Sequence, residues 1–387
     1  MRRLLALLLI LLTLLSLTAC GERQEILPEE STEAAEQTQP AEATLPQPEI
    51  IDPVEVRLDA LMAEMTLAER VGQLFFVRMP LETEVADVSG YHLGGYVVFW
   101  RNIRYKSAAE LADLLAACQA EAKIPLFMGT DEEGGSVVRV SLNSLIRQAP
   151  FSSPRYIYNM GGLDALRADS AEKDALLKSV GINVNLAPVA DCATDQSAFI
   201  YDRTVGSSPT EAAQCVRTMV EQMRADGMGS CLKHFPGYGN NVDTHSAIAE
   251  DTRPYEQFVA EDFIPFQAGI DAGAPFVLVS HNIIDCMDPT LPASLSPRVH
   301  EVLRQELGFE GLIVTDDLTM AAVAAYVENG SAAVQALLAG NDMIITTDYP
   351  TQIEQVLDAV ADGSLPTEIV DSACRRVLRV KMEMRLM

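Results

Sequence analysis

The stretch KHFPGYGNNVDTHS, residues 233–246, carries Lys233, His234, Asp243 and His245 on a segment that regular structure cannot hold. Pro236 lacks a donor N–H, and Gly237 and Gly239 favour bends. The chain has only 5 histidines, and two of them are here. Lys233 and His234 could bind hydroxyls and an anionic transition state, or form an ordinary salt-bridged strand end. Asp243 and His245 stand two apart, so in an extended segment their side chains share a face. A carboxylate that holds an imidazole in one tautomer makes a general acid/base; the alternative is a solvated loop pair. Further on, Asp316 and Asp317 follow the apolar run Gly311–Thr315, where a carboxylate could be a nucleophile, a metal ligand or a solvated charge. No spacing among these residues matches a zinc site.

Such side chains need a scaffold, and eight short apolar runs provide the pattern for one. They are Gln73–Arg78, Gly95–Trp100, Pro125–Thr130, Asn183–Val189, Gly229–His234, Phe276–Ser280, Gly311–Thr315 and Asp342–Thr346. Continuous rather than alternating apolar runs are what parallel strands covered on both faces look like. Helical stretches lie between them, among them Ser107–Ala122, Pro209–Asp226, Tyr255–Ala272 and Pro297–Leu307. The expectation is an α/β fold, a (β/α)₈ TIM-like barrel forming a single catalytic domain. Helices at Val54–Arg70 and Pro366–Met384 would close its ends. In a barrel, chemistry sits just past the C-terminal ends of the strands. Those positions hold Arg101, Asp131-Glu132-Glu133, Asp191, Lys233-His234, His281, Asp316-Asp317 and Asp348, which would converge on one cleft. "GTDEEGGS" (129–136) lacks the GxxxxGK of a phosphate cradle, so Gly134 and Gly135 are read as a sharp turn beneath Asp131. Trp100, the one tryptophan, is read as a rim-packing aromatic, with a sugar platform as the alternative.

The N-terminus reads MRRLLALLLILLTLLSLTAC, two arginines and a short apolar run, as in a secretory signal. It ends in Leu17-Thr18-Ala19-Cys20, which resembles the bacterial lipobox. Residues 1–19 are therefore expected to be a signal peptide and Cys20 a lipidated N-terminus, an anchor rather than a span. Residues 20–52 are Glu-, Gln-, Pro- and Thr-rich and read as a disordered tether reaching roughly 30 to 100 Å. The folded body is expected over 53–387, outside the cytoplasm and held to the membrane by the lipid alone. The net charge of −27, or −29 once Arg2 and Arg3 are removed, disfavours nucleic acid as a partner. The six cysteines after Cys20 form no CxxC pair and most sit in apolar runs, so buried free thiols are expected, with a disulfide the alternative.

Taken in order, "GGYVVFWRNI" (94–103), "GTDEEGGSVVRV" (129–140), "NVNLAPVAD" (183–191), "YDRTVG" (201–206), "KHFPGYG" (233–239), "DTH" (243–245), "LGFEGLIVTDDLTM" (307–320) and "AGNDM" (339–343) resemble glycoside hydrolase family 3, in its β-N-acetylhexosaminidase branch. The resemblance covers about residues 54–386. It implies Asp316 as the nucleophile of a covalent glycosyl-enzyme, His245 as the acid/base and Asp243 as its partner. It also implies that Asp131, Arg139, Arg203, Lys233 and His234 hold the hydroxyls of the terminal sugar. No cofactor is expected, and no metal, since His234, His245 and Asp243, the conceivable ligands, match no known ligand spacing. Tyr238 departs from the family's usual histidine, Ser136 from arginine, and Ile248-Ala249 from Leu-Pro. The expected activity is retaining removal of terminal N-acetylglucosamine from cell-wall muropeptides or chitin-type oligosaccharides. The alternatives are a β-glucosidase of the same family and a non-catalytic sugar-binding lipoprotein.

Overall fold

The structure, a computed structural model, describes residues 52–239, 249–320, 323, 326–327 and 331–387. The proposed signal, Cys20 and nearly all of the tether lie outside the described residues, as do Asp243 and His245. Among the described residues no helix is long and apolar enough to cross a membrane.

Seven parallel strands form one sheet in the order β1-β2-β3-β4-β5-β7-β10. They are β1 (Phe76–Arg78), β2 (Gly95–Val97), β3 (Phe127–Thr130), β4 (Val184–Asn185), β5 (Gly229–Phe235), β7 (Phe276–Val279) and β10 (Leu312–Thr315). The eighth apolar run, Asp342–Thr346, joins the two edges by hydrogen bonds. On one side Phe76 and Arg78 donate to Ile344 and Thr346 at 2.9 and 3.0 Å; on the other Met343 donates to Ile313 at 3.1 Å. The sheet therefore curls into a ring of eight positions, as the apolar runs predicted.

Large apolar side chains fill the bore. Phe127 lies 6.2 Å from Phe76 and 5.0 Å from Phe276, ring to ring. A Cβ on Gly129 would stand 2.4 Å from Phe76 Cζ, so the strand needs glycine there for this ring to fit. At the edge of this cluster Lys381 is fully buried, its ammonium 5.0 Å from the Phe127 ring and 2.6 Å from Gln73 Oε1.

Local signals set the helix ends. Ser107 and Glu110 form a reciprocal capping box on the helix Ala108–Glu121. Ser208 caps Pro209–Ala225, which begins on a proline as the fixed φ of that residue favours. Two expected helices are divided. Val54–Arg70 becomes Pro53–Glu64 and Leu67–Gln73, because Thr66 and Glu69 open a new capping box. Tyr255–Ala272 becomes Tyr255–Ala260 and Phe263–Asp271, with a fully buried Asp262 at the break. A small second sheet of β6 (Glu250–Asp251), β8 (Ile283–Ile284) and β9 (Asp288–Pro292) stands beyond the ends of β5 and β7. All six described cysteines are free; Cys118, Cys215, Cys231 and Cys374 are buried, whereas Cys286 is exposed.

Candidate active site

At the C-terminal ends of the strands lies a cavity of about 550 Å³ whose lining includes Arg78, Asp131, Arg139, Arg203, Lys233, His234 and Asp316. Every described residue expected to hold sugar, and the expected nucleophile, therefore opens onto one space.

The polar wall is an alternating charge network. The Lys233 ammonium lies 2.8 Å from Asp131 Oδ1 and 2.6 Å from Glu133 Oε1. Arg203 grips Glu133 through Nε and Nη2 at 2.9 and 2.8 Å, a bidentate pair. Arg139 reaches Asp131 more loosely, at 3.6 Å. Burial pushes the Glu133 carboxyl up, but the Lys233 and Arg203 charges outweigh it and hold the group well below the usual carboxylate range. Burial likewise opposes the charge on Lys233, and Asp131 with Glu133 raises its pKa above the usual lysine value. Glu133, Lys233 and Arg203 therefore stay charged around neutrality. What they leave towards the cavity is a set of fixed donors and acceptors suited to sugar hydroxyls.

Adjacent carboxylates have divided tasks. Glu132 turns away and accepts the backbone N–H groups of Arg139, Val140 and Ser141, with the Ser141 hydroxyl as a fourth donor. It folds the loop that presents Arg139. Gly134, at φ 106°, has Ser152 O only 2.2 Å from where a Cβ would stand, so the turn beneath Asp131 requires glycine.

His234 is held by Asp191. One carboxylate oxygen accepts both the His234 backbone N–H at 3.0 Å and ring Nδ1 at 2.8 Å; the other accepts the Tyr238 N–H at 2.8 Å. Arg203 Nη2, which can only donate, faces ring Nε2 at 3.2 Å, so Nε2 accepts and Nδ1 carries the hydrogen shared with Asp191. Tyr238 packs its ring 5.2 Å from His234 and 5.1 Å from Phe199.

The two aspartates after β10 also differ. Asp317 Oδ1 accepts the Thr319 N–H and hydroxyl, which ties that carboxylate into a turn. Asp316 keeps its backbone N–H on Val279 O at 3.0 Å and lines the cavity. His281, expected at the cleft, is instead buried between the Ser294 hydroxyl and the Asp317 carbonyl. Phe99, not Trp100, lines the cavity.

Arg253 joins the two flanks of residues 240–248. Its guanidinium pairs with Asp251 at 2.8 Å and Asp262 at 2.7 Å, and it donates to Gly237 O at 3.3 Å. Burial, partly countered by Arg253, pushes the Asp262 carboxyl up to about 7. Sequence reasoning assigned no role to Glu133, Asp191, Arg78 or Arg253. Glu133 and Asp191 are among the strand-end positions expected at the cleft, and Arg78, the last residue of β1, is the one that this signal could have added.

Against known proteins, the model described as "Glycosyl hydrolase family 3 N terminal domain" matches residues 66–380. A beta-hexosaminidase of Xanthomonas campestris pv. campestris (strain B100) is 36% identical over 281 residues, 71% of this chain and 83% of that protein. Among solved structures, a glycoside hydrolase family 3 beta-N-acetylglucosaminidase from Paenibacillus sp. str. FPU-7 matches with a TM-score of 0.77 and 28% identity, over 83% of this chain. The chain spans 63% of that structure, less than two thirds of its length. A beta-N-acetylhexosaminidase from Beutenbergia cavernae DSM 12333 matches with a TM-score of 0.71 and 29% identity, over 83% of this chain and 99% of that one. With its strand-end cavity, its family match and these relatives, the chain belongs to glycosyl hydrolase family 3 and is a glycoside hydrolase.

Proposed function

We propose that the protein is a retaining exo-β-N-acetylglucosaminidase that releases terminal β-linked N-acetylglucosamine from cell-wall muropeptides or chitin-type oligosaccharides. One observation carries the reading. The Asp316 carboxylate at the end of β10 opens onto the same cavity as the Asp131–Glu133–Arg203–Lys233 network. Asp131, Arg139, Arg203, Lys233 and His234 fix the terminal sugar, and Asp316 attacks its anomeric carbon to give a covalent glycosyl ester. His245, charged and steadied by Asp243, protonates the leaving oxygen, then as neutral imidazole takes a proton from the attacking water. Cys20 as a lipid anchor, and a place outside the cytoplasm, belong to the same proposal and rest on the sequence of residues 1–52.

The test separates the two steps. Asp316→Asn should abolish turnover whatever the leaving group. His245→Ala should react quickly with dinitrophenyl N-acetylglucosaminide and then stall, since a good leaving group needs no proton and water lacks its base. Azide should restore turnover and give the β-azide. An α-azide, or a sugar adduct on a residue other than Asp316, overturns the mechanism. Equal or better efficiency on aryl glucosides would move the terminal sugar to glucose.

A further inference from the structure

Arg78 ends β1, lines the catalytic cavity, and has no role in the scheme above. Around the ring of eight strand positions β1 stands opposite β5, so Arg78 faces Lys233 and His234 across the cavity. The hydroxyl-binding groups come from β3 to β5 and the segments that follow them. Arg78 is on the other side, one position past the Asp342–Thr346 segment that follows β10 and Asp316.

Its environment is short of negative charge. Lys233, Arg203 and Arg139 each have a carboxylate within ion-pair distance, whereas Arg78 has none among the described residues, and its buried Nε has no hydrogen-bond partner. The guanidinium carbon lies over the Phe99 ring, 4.3 Å from the centroid. A cation–π contact of this kind uses none of the guanidinium N–H donors, so it leaves them for another acceptor. Arg139 lies 5.8 Å from the same ring. Arg101 donates to Met79 O, and burial together with the Arg78 charge lowers its pKa. Three guanidinia thus gather on the β1–β3 wall of a chain whose net charge is −27.

A terminal sugar held by β3–β5, with its anomeric carbon at Asp316, directs its leaving group towards the opposite wall. We infer that Arg78 is a specificity-determining residue that takes a carboxylate on the leaving-group side of the scissile bond, so the preferred substrates carry an acidic aglycone. This rests on the exo-glycosidase reading above. The planar fork of arginine matches a carboxylate with two parallel hydrogen bonds, and in a part-buried cleft such a contact is expected to be worth about tenfold.

The test compares N-acetylglucosaminides of 3-carboxy-4-nitrophenol and of its methyl ester, which differ chiefly in one negative charge. The wild-type protein should prefer the acid by about tenfold in kcat/KM, mostly through KM, and the preference should shrink as salt rises. Arg78→Met should bring the acid-to-ester ratio to about one, and Arg78→Lys should retain part of it. A wild-type ratio near one, or a ratio that Arg78→Met and Arg78→Lys leave unchanged, overturns the inference. Release of sugar 1-phosphate on adding inorganic phosphate, lost in Arg78→Met, overturns it too, because the anion would then be the acceptor. If only the corresponding glucosides are hydrolysed, the N-acetylglucosaminidase reading fails, and the same ratio measured on glucosides still tests Arg78.

Discussion

Replacing Lys381 by methionine should stabilise the protein by an amount that depends on pH. The lysine is fully buried beside Phe127, and burial pushes its ammonium down from 10.5 to about 7. The unfolded chain keeps that proton up to its ordinary pKa and the folded chain releases it near 7. Between those values the unfolded state binds more protons, so wild-type stability rises with pH across the window. Each pKa unit corresponds to about 1.4 kcal/mol, so the penalty is about 5 kcal/mol at pH 6, about 3 at pH 8.5 and about 1 at pH 10. Methionine also deprives Gln73 Oε1 of its donor, a loss of about 1–3 kcal/mol. The net gain at pH 6 is therefore about 2–4 kcal/mol, vanishing or reversing by pH 10. Urea unfolding of both proteins at pH 6, 8.5 and 10 measures it. A stability difference that does not change with pH, or a methionine variant that is less stable at pH 6, would refute the argument by showing that the amine is compensated where it sits.

Four further outcomes follow from the site and its surroundings. Glu133→Gln should destabilise the fold by about 3–5 kcal/mol, since it takes the carboxylate from buried Arg203 and leaves Lys233 with Asp131 alone; misplacing these cations should lower kcat/KM by about 100-fold on every aryl glycoside, read by steady-state kinetics. Nitrogen-15 spectra of the wild-type protein should show His234 with hydrogen on Nδ1, and Asp191→Asn should redistribute the tautomers. Asp174 is buried, and burial, then the Asp226 charge, pushes its carboxyl up to about 8. The folded state therefore favours the protonated acid, and the cost grows as pH rises from about 4 to 8, so Asp174→Asn should raise the melting temperature more at pH 8.5 than at pH 5. A chain beginning at Ile51 should remain soluble and keep the aryl-substrate rate of the full protein; a large loss of rate would make residues 21–50 part of the working body.

The barrel was legible because each strand is a short continuous apolar run with polar residues at its C-terminal end, and both features survive in a single sequence. What the runs do not carry is tertiary debt between distant side chains. Tyr255–Ala272 reads as one helix; it breaks because Asp262 is taken inside as the partner of Arg253, nine positions earlier in the chain and invisible to helical periodicity. The strands of the small sheet are too short to leave a pattern, β6 and β8 having 2 residues each. In the site, Asp131, Lys233, His234 and Asp316 were legible from their places past strand ends. Glu132 and Glu133 were not separable, because adjacent carboxylates differ only in which way the folded loop turns them. In the sequence Arg78 is only the close of an apolar run, and its lack of a carboxylate partner among the described residues is a property of three dimensions alone.

Arg253 has a consequence for how this enzyme could diversify. By bonding to Gly237 O on one flank and to Asp251 on the other, it anchors both attachment points of residues 240–248 in the barrel itself. The stretch between them is then an exchangeable cassette. Segments of other length and composition should then be accepted without disturbing β5 or the Asp131–Glu133–Arg203–Lys233 network, provided Arg253 and its two aspartates remain. On the proposed mechanism, in which His245 protonates the leaving oxygen and the barrel holds the terminal sugar, variation there would alter which leaving groups are expelled while the choice of terminal sugar stays with the body, and the two kinds of specificity could be inherited, and engineered, separately.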